Sequence, residues 1–231
     1  MMTERQSEIL NRVVREYVRM AQPVSSQFLR EKKVLAVSSA TIRNEMQRLT
    51  DEGYLFQPHT SAGRVPTDKG YRFFVDSLLE REIREMKVEM EERFENAIRF
   101  THELTRFLAE HSSSLALGYL PEEKILWREG WGEIFREPEF REKDAAVRFA
   151  RMLEDFEKGI DEMLFEEGPG IKVYIGKENP FSKTRDFGLV VGRCCFPKKE
   201  KGFLVIAGPK RMAYDKNITL MDSVIKFLNN C

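Results

Sequence analysis

Ile9, Leu10, Val13, Val14 and Tyr17 recur at the three- and four-residue spacing of one helix face, and Thr3 stands where an N-cap belongs. Pro23 ends that segment. A short second helix is predicted from Ser25 through Phe28 and Leu29, and a third from the Ser38-Ser39 pair, carrying Ile42, Met46 and Leu49 and closed by Gly53. The period then changes. Tyr54-Leu55-Phe56 reads as a strand, His59 to Arg64 as a polar loop, Val65-Pro66 as a return strand, and Thr67 as the cap of a further helix.

From Ser77 to His111 the pattern is helical and charged, with Leu79, Ile83, Met86 and Met90 spaced as a short heptad seam. The register then shifts through Phe94, Ala97, Thr101, Leu104 and Leu108. An amphipathic helix packed on its own domain and a dimer seam both fit this segment. Beyond it, Leu115, Leu117 and Tyr119 alternate, whereas Ala146, Phe149, Ala150, Leu153, Phe156, Ile160 and Met163 follow a helical period. Ile171 to Ile175 is β-rich, and Phe187–Phe196 and Phe203–Ala207 flank a turn from Pro197 to Gly202. A last helix carries Ile218, Met221, Ile225 and Leu228. The expected fold class is α+β: a winged helix-turn-helix over 1–76, a connecting or dimerising helix over 77–112, and an α+β domain over 113–231 with helices on one side of its strands.

The 231 residues carry 42% hydrophobic and 33% charged residues, enough for one or two cores, which excludes a disordered chain. Charge is balanced at 38 Lys+Arg against 38 Asp+Glu, so a uniformly basic packaging protein is excluded and any nucleic-acid site must be local. No apolar run approaches a membrane span and the start lacks a signal peptide, so a cytoplasmic protein without membrane contact is expected. Three cysteines, two of them adjacent at 194 and 195, give no disulfide framework and read as small buried hydrophobes.

Enzyme motifs do not hold. Gly176-Lys177 lacks the spacing and the Ser or Thr of a phosphate loop, since Glu178 follows. His102-Glu103 lacks the second histidine one turn on, where Arg106 stands, and reads as an exposed pair on a charged helix. No catalytic residue, metal ligand or cofactor is expected. Asn217-Ile218-Thr219 matches a glycosylation sequon without meaning in the cytoplasm.

The third helix carries the specific signal. With Ile42 at zero and about 100° per residue, Met46 and Leu49 fall within about 40° of it, whereas Ala40, Arg43, Asn44, Gln47 and Arg48 fall on the opposite face. Arginine can fork onto guanine O6 and N7, and Asn or Gln onto adenine N6 and N7, so this face suits a major groove. Ser38, Ser39 and Thr41 can offer hydroxyls and amides to phosphate. Any solvent-facing helix carries such residues. The adjacent loop His59-Thr60-Ser61-Ala62-Gly63-Arg64, free of acids and followed by Lys69 and Arg72, makes DNA readout the better interpretation. Residues 1–76 hold 12 Lys+Arg against 9 Asp+Glu, an asymmetry of the right sign.

The stretch from Val37 to Asp76, VSSATIRNEMQRLTDEGYLFQPHTSAGRVPTDKGYRFFVD, closely resembles the winged-helix segment of the HrcA family of bacterial heat-inducible transcription repressors. The SSATIRNEM helix and the HTSAGRVPT loop are its hallmarks, and Pro23-Val24-Ser25-Ser26 fits as well. Looser similarity to the family's GAF-like domain lies in Glu137-Pro138-Glu139-Phe140, in Ile175-Gly176-Lys177-Glu178-Asn179 and in the segment Ala207 to Tyr214. The chain departs from the pattern in two ways. Family members are usually longer, with a dimerising insert where only Gly118 to Trp131 joins the parts here, and Ala213 replaces the usual acid before Tyr214.

The resemblance implies a homodimeric repressor of chaperone operons that binds an inverted-repeat operator on double-stranded DNA and is helped into its active form by a GroEL-type chaperonin. Heat occupies the chaperonin, repression falls, and chaperone genes are expressed. The alternatives are a winged-helix regulator switched by a small-molecule ligand of the GAF-like domain, and a winged helix used for protein contacts.

Overall fold

A computed structural model describes residues 2–32, 37–81, 86–88, 97–160, 170–183, 185–196 and 200–229. The chain divides into two units, Met1–Arg81 and Glu82–Cys231. Among the described residues no helix is long and apolar enough to cross a membrane.

The first unit begins with α1 (Glu4–Met20), which starts at a capping box: Thr3 Oγ1 accepts from the Gln6 amide and Gln6 Oε1 accepts from the Thr3 amide. Ser25 caps α2 (Ser26–Glu31), Ser38 caps α3 (Ser39–Asp51) and Thr67 caps α4 (Asp68–Leu79). Each cap satisfies an amide that the helix itself leaves orphaned. Gly53, at φ +78°, closes α3 in the left-handed conformation, and the Tyr54 amide reaches back to the Leu49 carbonyl. Strands β1 (Leu55–Phe56) and β2 (Val65–Pro66) then pair antiparallel. Ile9, Leu10, Val13, Val14, Leu29, Ile42, Leu49 and Phe74 are all buried, so the predicted apolar faces meet in one core, while Tyr17 is half-buried.

In the second unit, α5 (Ala97–Ser112) leads into β3 (Leu115–Leu120), β4 (Ile125–Glu129) and the short α6 (Trp131–Ile134). Then come α7 (Ala145–Gly159), β5 (Gly170–Ile175), β6 (Phe187–Cys195), β7 (Lys201–Pro209) and α8 (Tyr214–Asn229). The strands form one antiparallel sheet in the order β4-β3-β7-β6-β5. Leu117, Val205 and Val191 stand in one row across it, and with Phe187 and Leu189 they share a core with Phe149, Met152, Leu153 and Phe156 of α7. The next row, Gly118, Leu204 and Gly192, faces the other way: a Cβ at Gly118 would strike Thr105 of α5, and one at Gly192 would strike Met221 of α8. Helices therefore cover both faces of the sheet, not one side as expected. The reason is legible in the strands, since β3 is buried at every position and β7 at all but its first residue, without alternation.

Three further expectations are corrected. The helix over 77–112 is not continuous, for α4 ends at Leu79, residues 86–88 are not helical, and α5 begins at Ala97. The Met86 amide donates to Ser223 Oγ on α8 at 2.8 Å, where a helix would direct it to a carbonyl four residues back. A heptad seam needs one unbroken helix, so Leu79 and Met86 do not form one; Ile83 and Met90 lie outside the described residues. Gly118 to Trp131 is not a linker but the β3–β4 hairpin and the start of α6. Cys194 is buried, and burial pushes its thiol up, but Cys195 is exposed. Cys231, like Met163 and the turn at 197–199, lies outside the described residues.

Two of the looser motifs meet in space. Arg211 forks onto both carboxylate oxygens of Glu139, at 2.6 and 2.9 Å, and also reaches Glu137. Partial burial opposes the charge of this guanidinium, but the hydrogen bonds and charges of the two carboxylates outweigh it and hold its pKa above the ordinary value. His102 is likewise not simply exposed: its Nε2 lies 2.9 Å from Glu129 and its ring stacks on Trp127. Asn217, the sequon residue, is fully buried.

Candidate nucleic-acid interface

α3 presents two faces, as its period requires. Ile42, Met46 and Leu49 are buried, while Arg43, Asn44, Gln47 and Arg48 are exposed. Arg43 and Asn44 have no side-chain partner among the described residues. Arg48 approaches Glu45 at 3.5 Å, and Glu45, buried, also accepts from Gln6 of α1 at 3.1 Å. Glu45 and Gln6 were not singled out from the sequence. Their pairing secures the back of α3 with a polar contact to a residue 39 positions away, for which no local signal exists.

The start of α3 is occupied by its own cap. Ser38 Oγ accepts from the Thr41 amide at 3.1 Å and lies 3.0 Å from Thr41 Oγ1, so both hydroxyls are engaged; Ser39 is half-buried.

The loop between β1 and β2 is held in shape by a residue the sequence did not reveal. Gln57 Nε2 donates to the carbonyls of Thr60 and Ala62, at 2.8 and 2.9 Å, using both amide protons to close the loop. His59, Thr60 and Ser61 stand exposed at its tip, with His59 Nδ1 3.2 Å from Ser61 Oγ. At its base Gly63 lies so near Val24 that a Cβ would come within 2.4 Å of the Val24 carbonyl, a contact with backbone that only glycine avoids. Val24 and Arg64 exchange backbone hydrogen bonds of 2.9 and 2.7 Å.

Arg64 departs most from expectation. Placed by the sequence at the open basic end of the loop, it is 9% exposed, with Nε donating to Thr50 Oγ1 at 3.0 Å and Nη2 to Gln47 Oε1 at 2.8 Å. Gln47 Nε2 in turn donates to Asp51 at 2.8 Å. Lys69 is exposed but anchored, its ammonium 4.1 Å from the Tyr54 ring centre and 2.9 Å from the Glu52 carbonyl at the C-terminal end of α3, where a cation is favoured. Between α3, the start of α2 and the loop lies a cleft of about 520 Å³, lined by Ser26, Arg43, Asn44, Gln47, Gln57 and Arg64 among others. Of the predicted residues, Arg43, Asn44, Gln47, Thr60, Ser61 and Arg64 line this cleft, which opens to solvent, whereas Ser38, Ser39, Thr41, Arg48, His59 and Lys69 do not.

The family profile described as HrcA protein C terminal domain matches residues 34–218. The chain belongs to the HrcA family. A heat-inducible transcription repressor HrcA from Alkaliphilus metalliredigens (strain QYMF) is 27% identical over 333 aligned positions, covering 99% of this chain and 97% of the relative. That alignment is longer than the 231 residues here, so the relative carries a substantial block without counterpart in this shorter HrcA chain. The HrcA repressor of Streptomyces avermitilis is 56% identical over 78 residues, 34% of this chain and 23% of the relative. A crystal structure described only as that of a hypothetical protein shares the fold, with a TM-score of 0.84 at 21% identity over 100% of this chain and 98% of that one.

Proposed function

We propose that this HrcA-family chain is a sequence-specific DNA-binding transcriptional repressor of chaperone operons. Its N-terminal unit acts as a winged helix-turn-helix, with α3 as recognition helix and the β1–β2 loop as wing, and it binds an inverted-repeat operator as a homodimer. The observation that carries this reading is the pair Arg43 and Asn44, exposed and adjacent on a helix whose other face is fixed in the core. Side chains that form no internal hydrogen bonds keep their full donor and acceptor capacity for base edges: Arg43 for a guanine, Asn44 for an adenine. Arg48 beside them and His59, Thr60 and Ser61 at the wing tip are disposed to meet phosphate, which fixes register without reading sequence. Two such heads related by a two-fold axis match the symmetry of an inverted repeat. The names of the curated relatives, heat-inducible transcription repressors, support the regulatory role. A GroEL-type chaperonin as activating partner belongs to the same reading through the family.

Binding of the full chain to a duplex carrying the family's inverted repeat, against a scrambled duplex, at two salt concentrations, tests it. Preference for the repeat by about 10³-fold or more, with both affinities falling as salt rises, is expected. Equal affinity for the two duplexes overturns sequence-specific binding, and a one-to-one stoichiometry of chain to repeat overturns the dimer.

A further inference from the structure

The geometry points to Arg64 as a positioning residue, not a phosphate contact: it presets the side-chain amide of Gln47 so that this residue reads one base pair in a single orientation. The inference rests on the DNA-binding reading above and assigns roles within that site.

Arg64 is a donor only, so the atom of Gln47 that faces it must be the amide oxygen; the flipped amide would set N–H against N–H. Asp51, ionised, is an acceptor only, and it takes the other end, the amide nitrogen. The two contacts, 2.8 Å each, agree on the same orientation. They leave one lone pair on the oxygen and one proton on the nitrogen, which is what a two-point contact with adenine N7 and N6 requires. An exposed glutamine otherwise distributes over several rotamers, and freezing them on binding weakens the contact.

Arg64 is itself fixed on three sides. Its Nε holds Thr50 Oγ1, which in turn donates to the Met46 carbonyl at 2.8 Å, and its backbone pairs in both directions with Val24. Arg64, 9% exposed as a residue and with its guanidinium engaged through both Nε and Nη2, is poorly placed to follow a phosphate. The same side chain ties the base of the wing to α3.

The test uses the full chain and a duplex selected by the wild-type protein from a random pool. For Arg64→Ala, affinity for the selected duplex is expected to fall about 10- to 100-fold, as for loss of one forked base contact, with the salt slope unchanged. Selection repeated with the variant should lose preference at one base pair per half-site, the same one that Gln47→Ala loses. The double variant should bind no more weakly than Gln47→Ala alone, because the two residues act through one contact. A salt slope lower by about 0.9, with equal losses on selected and random duplexes, makes Arg64 a phosphate contact and overturns the proposal.

Arg64→Lys guards against a gross folding defect: lysine keeps the charge and most of the alkyl packing but offers one nitrogen where Nε and Nη2 make separate contacts, so it should lose the same base preference with a smaller loss of stability than Arg64→Ala. A Lys variant with wild-type preference also overturns the proposal. One readout needs no DNA. In the free protein ¹⁵N relaxation of the Gln47 side-chain amide should report a rigid group, and a mobile one in Arg64→Lys. A mobile Gln47 amide in the wild type refutes the preset amide whatever the duplex results; a held amide in a chain that prefers no duplex instead refutes the DNA-binding reading.

Discussion

In the C-terminal unit Arg211 is forked onto Glu139 and touches Glu137, with its side chain 11% exposed. In the N-terminal unit Arg43 stands exposed on α3 without a partner among the described residues. A cation removed from water must be compensated at once by the chain, and the compensation consumes its donors. One left in water on a rigid helix keeps them for something else. The contrast extends beyond these two residues. The second unit covers its sheet on both faces, as a scaffold does, whereas the first arranges caps, glycines and a buried arginine so that a few polar side chains project in fixed positions.

The largest effect that sharpens this contrast lies in the scaffold. Phe149, fully buried and set edge-on to Phe140 and Phe187, should cost about 3–5 kcal/mol when replaced by alanine. Both tryptophans, Trp127 and Trp131, belong to the second unit, so their fluorescence in urea should report the loss. Duplex affinity of the folded variant should not change. If it falls in step with stability, the two units are not separable in function.

Arg211→Met should destabilise the same tryptophan-reported transition by about 1–3 kcal/mol, discounted because Glu137 and Glu139 are partly exposed. The pH dependence is also set. A group whose pKa is raised on folding adds stability that is lost only as pH climbs through the raised value, and for a guanidinium that lies above any working pH. The wild-type increment over the variant should therefore be flat on the alkaline side of neutrality.

Arg43→Ala inverts the pattern. Unfolding should move by less than about 0.5 kcal/mol, as for an exposed residue without partners, while the operator duplex should lose about 1–3 kcal/mol and relax at one base pair. Equal losses on operator and scrambled duplexes would reassign Arg43 to the backbone.

The smallest effect separates capping from contact. Ser38→Ala should lower the stability of the first unit by about 1 kcal/mol through loss of the cap on Thr41, seen by circular dichroism, with an unchanged salt slope. A reduced slope with unchanged stability would place the hydroxyl on a phosphate instead.

What the sequence determined by itself is local. Thr3, Ser25, Ser38 and Thr67 each cap the helix expected of them, and Gly53 takes the left-handed turn after α3. The period of Ile42, Met46 and Leu49 by itself assigns the outward face of α3. These features depend on residues within about one helical turn of each other, so the order of side chains along the chain suffices. Family membership was legible for a related reason, since the residues from Val37 to Asp76 carry it as one contiguous stretch. Tertiary structure decided whatever depends on residues far apart in sequence. It broke the helix expected over 77–112 and placed helices on both faces of the sheet. It joined Arg211 to Glu139 across 72 positions and buried Arg64 against Thr50 and Gln47. A charged side chain reads as exposed until its partners arrive from elsewhere in the chain, and Arg64 has its acceptors 14 and 17 positions away on α3. Its burial is therefore a property of the fold and not of the loop in which it stands.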